Sequence, residues 1–137
     1  MRALHLGLRV TDLNRALAFY RAVGYEVIGD VPDTDIGHLT MLKLSGDDFV
    51  TLELVHHPDY APAGGDSPLS HFVIQVDDMA ATRTQLAARG IEIDEPTSPD
   101  GSPDFWTVML ADPDGNRIEL VQWPPGHADG ITAADWP

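Results

Sequence analysis

The first half of the chain changes its hydrophobic period in an order that predicts a strand followed by a helix. Residues 4–10 alternate apolar and polar side chains, which is the two-residue period of a half-buried strand. Asp12 then offers a helix N-cap, apolar side chains recur at helical spacing as far as Tyr20, and Gly24 is placed to end the helix. Three further strands are predicted after this glycine, at 25–30, 37–44 and 48–55.

The second half repeats the same order. Residues 72–76 are predicted as a strand, and a helix is predicted between an N-cap at Asp78 and Gly90. Three strands again follow, at 91–95, 105–111 and 116–122. The sequence Asp-Pro-Asp-Gly-Asn at 112–116 is typical of a turn, and it predicts a hairpin between the last two of these strands.

A direct repeat underlies this pattern. A shift of 66 residues, which carries His5 onto His71, aligns the two halves without a net gap. The same shift aligns Asp12 with Asp78, Gly24 with Gly90, Glu26 with Glu92, and residues 52–55 with 118–121. One module has therefore been duplicated.

The repeat predicts the architecture of the chain. We expect an α+β fold in a single domain, 1–137, made of two tandem βαβββ modules at about 2–55 and 68–122. Together the modules are predicted to form a curved mixed sheet around a concave cleft. Residues 56–67, rich in Pro, Gly and Asp, are predicted as a linker, and 123–137 as a C-terminal tail that docks on the surface or against a partner.

Composition narrows the possible partners. The 137 residues contain 22 Asp and Glu against 8 Lys and Arg, and the formal net charge of −14 would repel both nucleic acid and an anionic membrane surface. No apolar run reaches the roughly 18 residues that a membrane span requires, so we expect a cytoplasmic protein without a membrane partner. The chain has no cysteine, so any metal must be held by nitrogen and oxygen.

Four residues that can bind a metal occupy equivalent places in the two modules. Strand alternation turns His5 and His71 away from the apolar face of each first strand, and Glu53 and Glu119 away from that of each last strand. A single strand His or Glu is more often a surface residue, but here all four recur in the repeat. A glutamate between two aliphatic residues also favours a nearby cation. Two His and two Glu suit Ni, Co, Zn or Fe, with positions left for water or substrate, and predict a metal site in the concave cleft.

At these residues the chain resembles the vicinal oxygen chelate superfamily, and bacterial glyoxalase I (lactoylglutathione lyase) in particular. The resemblance covers about 2–123, and its motifs are the opening residues 1–20, the His71 strand and the block 112–120. It implies that His5, Glu53, His71 and Glu119 all bind the metal, most simply Ni, Co or Zn, with Fe or Mn as alternatives. It also implies a homodimer, and whether each site is built within one chain or across two stays open.

The resemblance implies a reaction as well. The substrate would be the hemithioacetal of an α-ketoaldehyde and a thiol, converted to a 2-hydroxyacyl thioester by proton abstraction through an enediolate, as in methylglyoxal detoxification. Glu119 is the first candidate for the base and Glu53 the second. Arg9 would hold a carboxylate of the thiol, the alternative being a surface arginine paired with nearby acids. His57 would contact the thiol cosubstrate if its side chain turns inward, and would otherwise be exposed.

The chain departs from the family pattern at two places, and these departures keep other functions open. Residues 97–104 contain no basic residue and two Asp, and His57 stands where the family has an asparagine, so the identity of the thiol stays open. A first alternative is a non-catalytic protein that binds an antibiotic, like the bleomycin-resistance proteins. A second is an Fe(II) dioxygenase of the same superfamily, which would need only two His and one Glu.

Overall fold

The computed structural model describes residues 1–61 and 68–137, so part of the predicted linker, 62–67, lies outside the described residues. The contacts divide the chain into a first unit, Met1–Leu69 with Asp112–Asn116, and a second unit, Ser70–Ala111 with Arg117–Pro137. Each unit carries its own mixed sheet, which confirms the α+β class.

The first unit follows the predicted order of elements. They are β1 (Leu6–Val10), α1 (Leu13–Val23), β2 (Glu26–Val31), β3 (His38–Lys43) and β4 (Leu52–His56). The sheet order is β1-β4-β3-β2, with β1 parallel to β4 and the other pairs antiparallel. The Asp12 side chain accepts a hydrogen bond from the Arg15 amide at 3.0 Å, and Gly24 ends α1 at φ 127, as the sequence predicts.

The last strand of the first unit differs from the predicted 48–55 at both ends. It begins only at Leu52, because the Asp47 carboxylate accepts hydrogen bonds from the Leu44 amide and the Thr51 hydroxyl and so stabilises a turn up to Thr51. It ends at His56, which the sequence analysis assigned to the linker. The alternation of apolar and polar residues does not reveal such a side-chain hydrogen bond, so it could not predict where the strand begins.

The second unit has β5 (Phe72–Gln75), α2 (Met79–Ala88), β6 (Trp106–Ala111) and β7 (Arg117–Gln122). Its sheet order is β5-β7-β6, with β5 parallel to β7, and the antiparallel pairing of β6 with β7 confirms the predicted hairpin. The predicted strand at 91–95 is wrong: the neighbouring segment makes a single bridge to β6, between Thr97 and Thr107. Pro96 has no amide hydrogen to donate to a strand ladder, which limits regular pairing there.

The tail of the second unit is attached to its sheet. Trp123 stacks with the rings of Phe105 and His127, at centroid distances of 5.3 and 4.5 Å. On β5, the Gln75 amide donates to the Asp129 carboxylate at 2.7 Å. The 3-10 helix Ala133–Asp135 ends the tail. Among the helices of the described residues, none has the length and apolar character needed to cross a membrane.

Candidate active site

The first predicted pair of ligands connects the residue before β1 with the inner strand β4 of the first unit. The Nε2 atom of His5 is 3.3 Å from the Oε2 atom of Glu53. Glu53 lies on β4, between β1 and β3, and its neighbour across the parallel ladder is Gly7. The Glu53 side chain is only 12% exposed, because strands flank it on both sides. An acceptor-only carboxylate at this depth is stabilised by a cation or a hydrogen-bond donor.

The second unit repeats this pair at the equivalent positions. The Nε2 atom of His71 is 3.3 Å from the Oε2 atom of Glu119, which lies on the central strand β7. Val73 takes the place of Gly7 across the parallel ladder. The Glu119 side chain is 27% exposed, more than twice the exposed fraction of Glu53.

The donor chemistry of both pairs suits a divalent metal. Each pair offers one imidazole nitrogen and one carboxylate oxygen, which are ligands that Zn, Ni and Co accept. The four predicted ligands are brought together two by two, one pair in each unit. Among residues 1–61 and 68–137, no cluster of three or more His, Asp or Glu is assembled.

Two methionines border the glutamates, and the sequence analysis missed both. Met41 on β3 lies directly opposite Glu53, and Met109 on β6 lies directly opposite Glu119. Directly opposite residues in an antiparallel ladder share one face of the sheet. Each candidate ligand pair therefore has an apolar, adaptable side chain next to its carboxylate. Only the strand register reveals this, since neither methionine breaks the apolar pattern of its strand.

Arg9 borders a cavity that belongs entirely to the first unit. The cavity measures about 590 Å³. Its lining residues lie on β1, in the segments beside the undescribed residues and in the 112–116 turn: Gly7, Leu8, Arg9, Thr11, Tyr60, Ala61, Pro68, Leu69, Asp114 and Asn116. The Arg9 guanidinium lies 5.2 Å from the centre of the Tyr60 ring, a cation–π contact that leaves its N–H groups for another partner. Tyr60 carries no periodic signal in the sequence.

His57 lies in the turn that positions Tyr60. Its Nδ1 atom accepts a hydrogen bond from the Asp59 amide at 3.1 Å, and its ring centre is 5.5 Å from that of Tyr60. The Tyr60 hydroxyl in turn donates to the Ile36 carbonyl at 2.7 Å. Tyr60, rather than His57, lines the cavity among the residues that the structure describes.

A buried carboxylate fixes the turn at 112–116 within the first unit. Asp112 accepts hydrogen bonds from the Tyr20 hydroxyl at 2.6 Å, from the Asp114 amide at 2.9 Å, and from both the backbone and side-chain nitrogens of Asn116 at 2.8 and 2.9 Å. Burial, and next the charge of Asp112, raise the pKa of Tyr20 above its usual value, so that hydroxyl stays protonated as the donor. The network places Asp114 and Asn116 at the cavity.

Comparison with known proteins supports the family assignment. The family model of the Glyoxalase/Bleomycin resistance protein/Dioxygenase superfamily matches residues 2–120. A "Probable lactoylglutathione lyase" from Vibrio cholerae serotype O1 is 33% identical over 131 residues, covering 93% of this chain and 94% of the relative.

Solved structures agree with this assignment. A glyoxalase family protein from Enterococcus faecalis shares the fold with a TM-score of 0.73 at 21% identity, covering 88% of this chain and 97% of its own. TnmS3, an antibiotic binding protein from Streptomyces sp. CB03234, has a TM-score of 0.66 at 26% identity, covering 90% and 97%. With its duplicated modules and a family match along most of its length, the chain belongs to the glyoxalase/bleomycin resistance protein/dioxygenase superfamily.

Proposed function

We propose that the chain is a metal-dependent glyoxalase-type lyase. Its reaction would convert the hemithioacetal of an α-ketoaldehyde and a thiol into a 2-hydroxyacyl thioester. The observation that carries this proposal is the pair of His–Glu contacts, each 3.3 Å long and at equivalent register in the two units. The lactoylglutathione lyase name of a relative that is 33% identical supports it.

His5, Glu53, His71 and Glu119 are the proposed ligands of one divalent ion, most simply Ni, Co or Zn. When bound, such an ion acts as a Lewis acid that stabilises negative charge on the two adjacent oxygens of the substrate. The imidazoles bind as neutral donors, and the two carboxylates offset the charge of the ion. Glu53, nearly enclosed by its neighbouring strands, is suited to hold its position throughout the reaction.

Glu119 is the proposed base, because its side chain is the more accessible of the two carboxylates. It would take the proton from the carbon that bears the hydroxyl and sulfur and return it to the neighbouring carbonyl carbon. One C–H bond breaks and one forms, and the hydroxyl proton passes from the first oxygen to the former carbonyl oxygen, so the change is an isomerisation that needs no oxidant or reductant. Proton transfer by a positioned carboxylate contributes about 10²–10⁴ in rate.

Arg9 is proposed to orient the thiol part of the substrate. It lies on the same face of β1 as Gly7, which is the direct neighbour of Glu53, and its guanidinium is held by the Tyr60 ring. A guanidinium binds a carboxylate through two parallel hydrogen bonds, which fixes direction as well as position. His57 would act through Tyr60, as a positioning residue for the cavity wall.

Metal analysis and a substrate assay test the proposal together. We expect the purified protein to bind one divalent ion per chain after reconstitution and to isomerise methylglyoxal–thiol adducts, followed by the absorbance of the thioester. Removal of the metal with a chelator should abolish activity, and adding it back should restore it. Absence of activity with several thiols in a fully metal-loaded protein would reject the proposal.

Antibiotic binding is the second candidate, favoured by the 26% identity to TnmS3. A binding protein of this kind would retain a cationic or aromatic drug in the cleft without needing the His–Glu pairs. Calorimetric titration of the metal-free protein with antibiotics decides between the two. Tight stoichiometric binding that is unchanged in a Glu53→Gln, Glu119→Gln double variant would favour this second function.

The dimer implied by the family and the location expected from the sequence remain part of the proposal. We propose a cytoplasmic homodimer whose partner is a small-molecule substrate. Light scattering coupled to size-exclusion chromatography should give about twice the 14.9 kDa mass of one chain. A mass of one chain in a fully active sample would remove the dimer from the proposal and leave the chemistry intact.

A further inference from the structure

A second pair of histidines lies in the first unit, on the sheet face opposite to Glu53. His38 on β3 and His56 on β4 are directly opposite each other in the antiparallel ladder, so they share one face and their Cβ atoms are about 4.5–5.5 Å apart. His56 is three positions from Glu53 on the same strand, and an odd separation turns two side chains to opposite faces. The two imidazoles are therefore separate from the proposed ligands His5 and Glu53.

A carboxylate orients the ring of His38. The Nε2 atom of this ring is 3.0 Å from the Oδ2 atom of Asp30 on the neighbouring strand β2. An ionised carboxylate accepts hydrogen bonds and cannot donate them, so Nε2 carries the hydrogen and the Nδ1 atom of the neutral ring keeps a free lone pair. Histidines that bind metals commonly donate their other ring N–H to a carboxylate, because this bond fixes the ring and makes its free nitrogen more basic.

His56 offers the second nitrogen. The residue is half-buried, and among residues 1–61 and 68–137 its ring forms no hydrogen bond or ion pair. The backbone beside it is closely packed: a Cβ at Gly37 would clash with the His56 carbonyl oxygen, so the loop before β3 can approach the end of β4 only because it has a glycine there. Both imidazoles thus project from strand ends whose positions are fixed.

A buried hydroxyl on the same face lacks a partner. Thr40 lies two positions after His38 and directly opposite Asp30, so the three residues share this face. Only 3% of Thr40 is exposed, and its Oγ1 atom has no hydrogen-bond partner among the described residues. A buried hydroxyl without a partner is costly, and such a group calls for a water molecule or an ion beside it.

We propose that His38 and His56 bind a divalent transition ion such as Zn, Ni or Cu, on the face opposite to Glu53. His38 would bind through Nδ1, with Asp30 as the acceptor behind its ring. Two imidazoles are not a full ligand set, so water completes the coordination, and a bound water is the partner of the Thr40 hydroxyl. With two protein ligands, this site is weaker than the proposed site of four. It does not depend on the proposed function, because its residues take no part in that reaction.

Zinc titration of a variant without the imidazoles of the proposed active site tests this second site. The variant is His5→Gln, His71→Gln, and the histidines that remain in it are His38, His56, His57 and His127. Long-range ¹H–¹⁵N NMR spectra show which imidazole nitrogen binds Zn²⁺. We expect saturable changes at Nδ1 of His38 and at one nitrogen of His56, and no change at the other two rings.

Equilibrium dialysis with Zn²⁺ in the same background measures the contribution of each residue. His38→Gln and His56→Gln should each abolish saturable binding, because one imidazole alone does not chelate an ion. Asp30→Ala should lower the affinity about 10- to 100-fold, since Asp30 orients the ring that binds. Asp48→Ala, which removes an exposed carboxylate of the same unit, should leave the affinity unchanged.

Zinc affinity that is unchanged in His38→Gln, or spectral changes confined to His57 and His127, would overturn the proposal. Binding through the Nε2 atom of His38 would overturn it too, because Asp30 would then compete with the ion instead of supporting it. The spectra require no substitution at the second site, so they do not depend on the folding of its variants. In the wild-type protein the weaker ion should be lost on desalting, so the single ion retained after reconstitution still tests the lyase function.

Discussion

The two modules share the His–Glu pair and the methionine opposite each glutamate, but they differ at the residue across the parallel ladder from it. In both, the histidine nitrogen lies 3.3 Å from the glutamate oxygen, and the glutamate lies on an inner strand of its sheet. Beside Glu53, however, stands Gly7 with an open cavity, whereas beside Glu119 stands Val73. The repeat thus preserves the His–Glu pair but not the residue across the parallel ladder from each glutamate.

The residues two positions further along the first strand of each module also differ in their surroundings. Arg9 and Gln75 correspond under the repeat, but Arg9 faces a cavity while both ends of the Gln75 amide are occupied by the tail, at Asp129 and Gly130. The first module therefore has a cavity beside its glutamate, which we propose holds the unreactive end of the substrate. The second has the more exposed carboxylate, which is the proposed base. The following predictions test this proposed difference between the two modules.

The largest effect is expected from Glu119→Gln. Loss of the base should lower kcat by about 10²–10⁴ in the metal-loaded protein. Glu53→Gln should act mainly by reducing metal affinity, so that added metal restores part of its activity. Metal titration followed by initial-rate assays separates the two, with the exposed Glu92→Gln as a control that keeps wild-type activity. Equal rescue of both variants by metal would contradict the assignment of Glu119 as base.

The next largest effect compares Gly7→Val with Val73→Gly, which exchange the residues beside the two glutamates. A Cβ at Gly7 would lie 3.7 Å from the Glu53 Oε1 atom, so the methyl groups of valine would crowd that carboxylate and fill part of the cavity. We expect kcat/KM to fall about 10- to 100-fold, because small displacements of catalytic groups are costly. Val73→Gly should cost less, and a larger loss there would contradict the division between the modules.

A smaller, structural effect distinguishes the modules at alkaline pH. Burial raises the pKa of Tyr20 and of Tyr25 in the first unit, whereas the repeat places Leu86 at the position equivalent to Tyr20. Above pH of about 10 the unfolded chain ionises these tyrosines while the folded one does not, so the free energy of unfolding falls as the pH rises. Below that pH their contribution is complete.

Tyr20→Phe should flatten this alkaline decline and lower stability at pH 7 by about 1–3 kcal/mol, because buried Asp112 loses a donor. Urea unfolding at pH 7 and at pH 10–11 measures both effects. Leu86→Met, a substitution of similar volume in the second module, should leave the alkaline slope as in the wild type. A slope in Tyr20→Phe as steep as that of the wild type would show that Tyr20 is not responsible.

The smallest effect is expected where the tail meets the second module. Asp129→Ala removes the acceptor of the Gln75 amide and should lower stability by about 1 kcal/mol or less, since the contact is exposed. Amide hydrogen exchange at Gly130, whose N–H donates to Gln75 at 3.3 Å, should accelerate. Asp104→Ala in the same unit serves as a control. A loss as large as that of Tyr20→Phe would mean that the tail is part of the core.

Local rules account well for some of the predicted elements and poorly for others. Both predicted N-caps, Asp12 and Asp78, accept hydrogen bonds from the amides three residues on. The hairpin of β6 and β7 also follows from its turn residues. The prediction of a strand at 91–95 was wrong. Its residues alternate like those of 25–30, but pairing of such a segment also depends on the partner strand and on the nearby Pro96.

The sequence predicted only those residues of the candidate site that recur in the repeat. His5, Glu53, His71 and Glu119 could be found because duplication marks each of them twice. Tyr60, Met41 and Asp114 could not, because nothing in their local sequence sets them apart from a linker, a strand and a turn residue.

The sequence by itself determined the repeat of 66 residues and the N-caps of both helices, since these depend on residue identity and on bonds between near neighbours. Only the tertiary structure showed that Asp114 is hydrogen-bonded to Thr11, which is 103 positions away in the sequence, and that Asp112 is hydrogen-bonded to Tyr20, which is 92 positions away. Such contacts result from the packing of whole helices and strands, which depends on many small interaction energies. A local sequence pattern does not contain this information, so it cannot predict these contacts.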